Sequence, residues 1–195
     1  LYVERSEVKY LWLMSVSFGL CYLTRNDSLL FAVLTFLYLI QTLINGRKST
    51  YLFFAAGLLY GLFVIGQTVF RYTYYGELMP NTYTLKLVGM PLLERLSNGW
   101  GFVQPFLKET SFVLIAAFAG ALLKTSRKKN YLLGFVFISL IYQIYVGGDP
   151  WNYWRMMSPT MPFLLILFIS AGKTLLDNIS GSFRARARSG LLIAL

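Results

Sequence analysis

The chain has 195 residues, of which 56% are hydrophobic and only 13% are charged, about half the charged share of an average soluble domain. This composition excludes an ordinary soluble enzyme, a disordered tail and a collagen-like rod. The net charge is +10, but the apolar content favours a lipid bilayer rather than nucleic acid as the partner. The absence of His and the presence of one Cys, Cys21, exclude His-ligated metals and intrachain disulfides within this chain.

Six apolar stretches meet or approach the roughly 20 residues that a membrane-spanning helix needs. In chain order they are 9–24, 28–45, 50–70, 110–123, 130–146 and 161–176. The predicted fold is therefore all-α, a polytopic bundle of transmembrane helices. Because the chain begins at Leu1 and ends inside a further apolar run, 191–195, we interpret it as a fragment of a longer membrane protein.

Basic residues predict the orientation of these spans. Three alternate connections carry ten of the 18 Lys and Arg residues and one of the eight acids. They are 46–49, 124–129 and 173–188. The positive-inside rule places them on the cytoplasmic side, so the connections 71–109 and 147–160 are expected outside the cytoplasm.

The outer connection 71–109 is too long for a plain link between helices, and it is aromatic rather than rich in Ser and Gly. Within it, 85–96 has a helical apolar pattern that Gly89 and Pro91 interrupt. This pattern predicts an amphipathic helix lying in the outer membrane interface. The alternative is a loop that covers the ends of the helices.

Both signs of charge gather at the start of this outer connection. Arg71 directly follows an apolar run, Glu77 precedes a turn-forming Pro-Asn pair that ends at Asn81, and Lys86 comes after it. Such a cluster suits an anionic substrate at the membrane surface. The alternative is a snorkelling Arg71 with an aromatic belt that includes Tyr75.

The second outer connection begins with GGDPWNYWR and places Asp149 six positions before Arg155. Three aromatic rings, the first of them Trp151, lie between these charges. Ring stacking beside polar groups is typical of sugar binding, and an arginine binds phosphate bidentately. An interfacial anchor explains the rings but leaves the charged pair unexplained, so a binding function is favoured.

A tight break between the first two apolar stretches contains Arg25 and Asp27. Ionisable residues at membrane depth indicate a functional site by default. The alternative is a hairpin in which the two charges neutralise each other, and the sequence leaves both open.

Three segments together resemble a family, the bacterial GT-C type glycosyltransferases. They are TRNDSLLF at 24–31, RYTYYGELMPNTYTLK at 71–86 and GGDPWNYWRMMSPTMP at 147–162. Within this family, the three segments are similar to those of the actinobacterial arabinofuranosyltransferases that use a decaprenyl-phosphate-linked sugar. The first segment departs from the usual R-P-E-G pattern, since Asn26 replaces Pro and Ser28 replaces Gly.

The resemblance implies a GT-C-like fold and an inverting glycosyltransferase in the bacterial plasma membrane, with its active side outside the cytoplasm. The donor would be a polyprenyl-phosphate sugar, and the acceptor a glycan or another cell-envelope molecule. No cofactor or metal ligand is expected. The catalytic Asp of the class lies in a first outer loop, which is expected upstream of Leu1. A flippase or transporter for a lipid-linked sugar and a non-catalytic assembly subunit are the alternatives.

Inverting transfer needs a carboxylate to accept the proton of the acceptor hydroxyl, and cations to stabilise the leaving phosphate. Asp149 and Glu77 are the acidic candidates, in a supporting or acceptor-contacting role. The predicted substrate-binding residues are Arg25, Asp27, Arg71, Tyr75, Asn81, Lys86, Trp151 and Arg155.

Overall fold

The computed structural model describes residues 7–44, 50–80, 83–84, 89–149 and 155–193. These residues are 87% helical and include no strand, which confirms the all-α prediction. The helices are α1 (Lys9–Thr24), α2 (Ser28–Ile44), α3 (Thr50–Tyr75), α4 (Leu92–Glu109), α5 (Ser111–Leu123), α6 (Arg127–Val146) and α7 (Met161–Ile193), with a 3-10 helix at Arg155–Thr160.

Three helical segments are long and apolar enough to cross a membrane by their length and composition. They are Thr50–Tyr75, Arg127–Val146 and Arg155–Ile179. The pair α4 and α5 forms a fourth candidate, but the two helices meet at a bend of 79°. The described residues therefore support a membrane protein with three or four such spans, whereas six crossings and their orientation stay predictions.

The α3 helix has one face that no other part of its unit covers. Large exposed apolar side chains recur there every three or four residues: Tyr51, Phe54, Leu58, Leu62, Ile65 and Val69. A stripe of this length is unfavourable in water, and the acyl chains of a bilayer would cover it without cost. The opposite face holds the buried residues Phe53, Ala56 and Tyr60.

The chain divides into two compact units, Leu1–Pro91 and Leu92–Leu195. In the first unit α1 packs against both α2 and α3. The contact with α3 is close at Gly19, where a Cβ atom would overlap the ring of Phe63. Nearer the end of α1, the rings of Tyr22 and Tyr60 meet edge to face with their centroids 6.4 Å apart.

In the second unit α5 packs along α7, and α4 packs along α6. Its core contains Val103, Phe106, Ala117, Val136, Leu140, Met157, Leu164 and Leu167. Both helix pairs approach closely at a glycine, since a Cβ atom on Gly120 would overlap Ala171 and one on Gly99 would overlap the backbone of Ile144. Small residues at helix contacts are typical of membrane bundles.

Several element boundaries differ from those predicted. The α3 helix continues beyond residue 70 to Tyr75, so Arg71 lies on the helix and not after it. Of the amphipathic helix predicted at 85–96, residues 92–96 lie in α4, which begins directly after Pro91 and continues to Glu109. Residues 89–91 are not helical, and residues 85–88 lie outside the described part. Proline is tolerated at the start of a helix, where the N–H that it lacks would have no partner in the helix.

The α7 helix continues well past the predicted end at residue 176, to Ile193. The basic segment 173–188 is therefore helical and not a loop. At the predicted basic connection 124–129, α6 begins at Arg127, three residues before the predicted start at residue 130. The Ser126 hydroxyl accepts a hydrogen bond from the Lys129 backbone N–H at 3.2 Å. Such an N-cap stabilises the first turn of a helix.

Candidate functional site

The break between α1 and α2 holds a bidentate ion pair. The Nε and Nη2 atoms of Arg25 donate to Oδ1 and Oδ2 of Asp27 at 3.0 and 2.6 Å. The helix ends at Thr24 because Arg25 has an extended backbone, with φ −147° and ψ 118°. This is the geometry of the charge-neutralising hairpin, which reduces the charge that either side chain offers to a substrate.

A different set of contacts holds Arg71, on the last turns of α3. Its Nη2 donates to Oδ1 of Asn26 at 2.8 Å. With the amide of Gln67 oriented to face it, Nη2 also donates to Oε1 of Gln67 at 2.9 Å, while Nε2 of Gln67 donates to the backbone oxygen of Tyr22 at 3.1 Å. Both acceptors are neutral, so Arg71 is oriented without losing its charge.

Asn26 and Gln67 were not predicted as part of the site. Gln67 lies four residues before Arg71 and therefore shares its helix face, which is a signal that the sequence does contain. Asn26 lies 45 residues from Arg71, at the position where the resemblance expects proline. The departure from the family pattern thus supplies a hydrogen-bond acceptor that proline lacks.

A cavity of about 310 Å³ opens beside Arg71. Its walls are formed by Arg71, Tyr75, Glu77, Met79 and Pro80. Gly76 ends α3 with a positive φ of 72°, a conformation open to glycine, and Glu77 follows at the cavity wall. Three of the predicted site residues therefore line one cavity in the first unit.

The other predicted residues of these segments lie outside the described part of the chain. They are Asn81 and Lys86 of the first outer connection and Trp151 of the second.

The second outer connection starts with a tight turn at the end of α6. Gly147 and Gly148 have φ values of 89° and 71°, and the Gly148 N–H donates to the backbone oxygen of Gln143 at 2.9 Å. A Cβ atom on Gly148 would overlap Phe102 of α4. The two glycines are required both for the left-handed backbone and for the close approach to α4.

This turn places Asp149 in a buried position. Its carboxylate is 6% exposed and accepts a hydrogen bond at 3.1 Å from Nη2 of Arg155, whose side chain is 63% exposed. The two charges that lie six positions apart in this connection therefore form an ion pair, which the sequence interpretation did not predict. Because the pair is closed, Arg155 has less free charge for a phosphate than Arg71 has.

Arg95 was not among the predicted site residues. It lies in the first turns of α4, is only 7% exposed, and packs its Cγ against the Gly147 turn. Its guanidinium carbon lies 4.7 Å from the ring centroid of Tyr145. A signal was available, because Arg95 precedes Gly99, Val103 and Phe106 at the spacing of one helix face, and that face is buried.

No family model, curated protein or solved structure matches this chain. The resemblance to GT-C enzymes therefore rests on the three sequence segments. The first two meet in the first unit through the Arg71–Asn26 hydrogen bond, and the third lies in the second unit. Among the described residues, no group of three or more His, Cys, Asp or Glu side chains is placed to hold a metal ion.

Proposed function

We propose that this chain belongs to an integral-membrane inverting glycosyltransferase of GT-C type. It would move a sugar from a polyprenyl-phosphate donor to a glycan or another cell-envelope acceptor outside the cytoplasm. The observation that carries the proposal is the cavity that Arg71, Tyr75 and Glu77 line at the end of α3. A charged guanidinium, an aromatic ring and a carboxylate in one cavity suit a phosphorylated sugar.

The hydrogen-bond acceptors of Arg71 support its proposed role in binding the phosphate. No carboxylate among the described residues pairs with it, and its acceptors are the amide oxygens of Asn26 and Gln67. Those contacts fix the guanidinium in advance, which is how an active site stabilises charge that develops in the transition state. In our proposal Arg71 stabilises the phosphate as the bond between it and the sugar breaks.

The acceptor side of the reaction needs carboxylates. The acceptor hydroxyl would attack the sugar carbon from the face opposite the phosphate, and its proton would pass to a carboxylate base. In this proposal Glu77, which lines the cavity, would contact the acceptor. Asp149, buried and held by Arg155, has a supporting role in orienting its own segment.

The position of the charges supports chemistry at the membrane surface over transport. Arg71 is the only charged residue in the 26-residue α3 helix, and it lies near the end of that helix. A transport pathway is expected to carry ionisable residues near the middle of the bilayer.

The test is a transfer assay with Arg71→Gln. Membranes that contain the protein would receive a polyprenyl-phosphate sugar with a labelled sugar and a cell-envelope acceptor fraction. We expect the variant to lose about a hundredfold in transfer rate, because a preorganised charge is removed. Lys108→Gln, an exposed cation on α4, is the matched control and should transfer at the wild-type rate.

Two results would contradict the proposal. One is wild-type transfer by the Arg71→Gln variant at equal expression. The other is wild-type protein that moves the intact donor across vesicles without transferring its sugar, which would identify a flippase.

A further inference from the structure

Three aromatic side chains at the end of α3 pack against one another and are largely exposed. Phe70, Tyr74 and Tyr75 are 56%, 71% and 65% exposed. The rings of Phe70 and Tyr74 lie nearly parallel, with 13° between their planes and 5.6 Å between their centroids. The Tyr75 ring meets both of them edge to face. These three rings form one surface, which we call the aromatic platform.

Two rings of the platform lie on the core-facing side of α3. Residues of that side recur every three or four positions, as one face of a helix requires. In chain order they are Ala56, Tyr60, Phe63, Gln67, Phe70 and Tyr74. The first of these residues is buried, and the next three contact α1. Phe70 and Tyr74 therefore continue a side of the helix that is otherwise covered by protein.

The exposure of these two rings follows from where α1 ends. Contacts between α1 and α3 advance together along both helices, so the two helices run in the same direction. Gln67 donates to the backbone oxygen of Tyr22, and α1 ends two residues later, at Thr24. Phe70 and Tyr74 thus lie past the helix that covers the earlier part of this side.

Tyr72 provides a contrast on the same helix. It is 60% exposed and continues the exposed apolar stripe of α3, three residues after Val69. Anchoring at the membrane interface explains an aromatic residue at that position. The same explanation does not extend to Phe70 and Tyr74, because they lie on the opposite side of the helix.

The aromatic platform is continuous with the Arg71 cavity. Tyr75 belongs to both, since it lines the cavity and contacts the rings of Phe70 and Tyr74. Glu77 forms part of the cavity wall two residues further along the chain. A molecule that covers the platform would therefore adjoin the cavity and its carboxylate.

Exposed tyrosine rings beside a carboxylate suit a sugar. The C–H face of a sugar ring packs on an aromatic face, while tyrosine hydroxyls and a carboxylate bind its hydroxyl groups. An acyl chain would also cover the rings, but it would bury the tyrosine hydroxyls without a hydrogen-bond partner.

We propose that the aromatic platform binds a sugar ring of the acceptor, so that the acceptor is a glycan and not a peptide or a lipid. The inference rests on the proposed function, in which Glu77 contacts the acceptor. It adds the class of the acceptor and the residues that select it. One sugar of the glycan lies over Phe70 and Tyr74, and the reacting hydroxyl lies in the cavity.

The test is binding of cell-envelope oligosaccharides to the full chain in detergent micelles. The oligosaccharides are freed of lipid and protein and carry a fluorescent label, and fluorescence anisotropy gives their affinity in the absence of any donor. We expect Tyr74→Leu to weaken binding about tenfold, because the stacking surface is lost. Tyr74→Phe keeps the ring and should bind within about twofold of the wild type.

Tyr72→Leu is the matched control, since it removes a ring of similar exposure from the opposite side of the same helix. It should leave the affinity for the oligosaccharides unchanged. In the transfer assay, Tyr74→Leu should raise the KM for the glycan acceptor about tenfold and leave the KM for the donor unchanged. A residue that only stabilises α3 would not separate the two KM values.

Three results would overturn the inference. They are a wild type that binds no oligosaccharide, wild-type affinity in Tyr74→Leu, and an equal loss of affinity in Tyr72→Leu and Tyr74→Leu. If Tyr74→Leu does not fold, Phe70→Leu decides by the same measurement.

The two proposals fail separately. Transfer of the sugar to a peptide or lipid acceptor, without oligosaccharide binding, would refute the aromatic platform and leave the transferase. Oligosaccharide binding that Tyr74→Leu weakens, in a protein that transfers no sugar, would refute the transferase and leave the platform as a glycan-binding surface.

Discussion

Arg71 and Arg25 lie close to the same helix break but differ in the groups that accept their hydrogen bonds. Arg25 gives two hydrogen bonds to the carboxylate of Asp27, whereas Arg71 binds the amide oxygen of Asn26. A carboxylate removes the net charge of the pair, and an amide does not. The residue that precedes Asp27 thus determines whether Arg71 is held by a neutral acceptor or by an ion pair.

We predict that Asn26→Asp will weaken anion binding in this cavity. The substitution replaces the amide oxygen 2.8 Å from Arg71 with a carboxylate of the same shape, which would convert the hydrogen bond into an ion pair. Binding of a polyprenyl-phosphate sugar should weaken about tenfold, with little change in thermal stability. Gln104→Glu, an exposed change from amide to acid on α4, is the control, and equal effects of the two substitutions would contradict the prediction.

The two glycines before Asp149 predict a measurable loss of stability when one of them is replaced with a residue that has a side chain. Gly148→Ala would add a Cβ atom that overlaps Phe102 at a φ of 71°, so the free energy of unfolding should fall by about 1–3 kcal/mol. Gly101→Ala, where the space is open, should change it by less than about 1 kcal/mol. Unfolding of both variants in detergent measures the difference, and equal midpoints would be inconsistent with the turn described.

At the scale of single residues, the ion pairs of the two predicted segments are local in the chain, although the sequence left the Arg25–Asp27 pair open as one of two alternatives and did not predict the Asp149–Arg155 pair. The Arg25–Asp27 pair spans two positions and the Asp149–Arg155 pair spans six, so short spacing sufficed to join them. Arg71 and Asn26 are 45 positions apart, and Arg95 is buried only because α4 packs on α6. Contacts of this kind depend on how helices pack, which spacing along the chain does not specify.

The α4 helix has one buried face and one exposed face. One face buries Arg95, Gly99, Val103 and Phe106, while Leu93 and Trp100 are exposed. A helix of this kind, joined to an apolar α5 at a 79° bend, is typical of one that lies in the membrane interface. The apolar periodicity predicted a helix at 85–96, of which residues 92–96 lie in α4 and residues 89–91 are not helical.

We predict that Trp100 lies about 5–10 Å below the headgroups, the depth of an interfacial helix. Its depth can be measured by fluorescence quenching with lipids brominated at different positions, after Trp12, Trp151 and Trp154 are replaced with Phe. Shallow bromines should quench most. A second variant, in which Trp12 on α1 is the one tryptophan kept, serves as the comparison. Strongest quenching of Trp100 by bromines at the bilayer centre would instead make α4 part of a span.

For the whole molecule, composition was sufficient to predict a helical membrane protein, since few charges and long apolar runs allow little else. The number of spans is harder to derive. The α1 and α2 helices have 16 and 17 residues, at the lower limit of the length that crosses a bilayer. For helices of this length, small differences in tilt or bilayer thickness decide between crossing and lying shallow.

We predict that the junction of α4 and α5, at Glu109, and the start of α6, at Lys128, face opposite sides of the membrane. In a Cys21→Ser background, a cysteine in place of Glu109 should react with a membrane-impermeant maleimide in intact cells. A cysteine in place of Lys128 should react only after permeabilisation, because the basic segment 124–129 is expected on the cytoplasmic side. The reverse pattern would invert the predicted topology of this unit.

The Asp149–Arg155 pair has one more consequence, for the two helices that it joins. Its 3.1 Å contact holds the first residue of the 3-10 helix beside the turn that ends α6. Because the Arg155 side chain is largely exposed, dissolved salt weakens this contact. Ionic strength would therefore set how firmly these two helix ends are held together, independently of any phosphate.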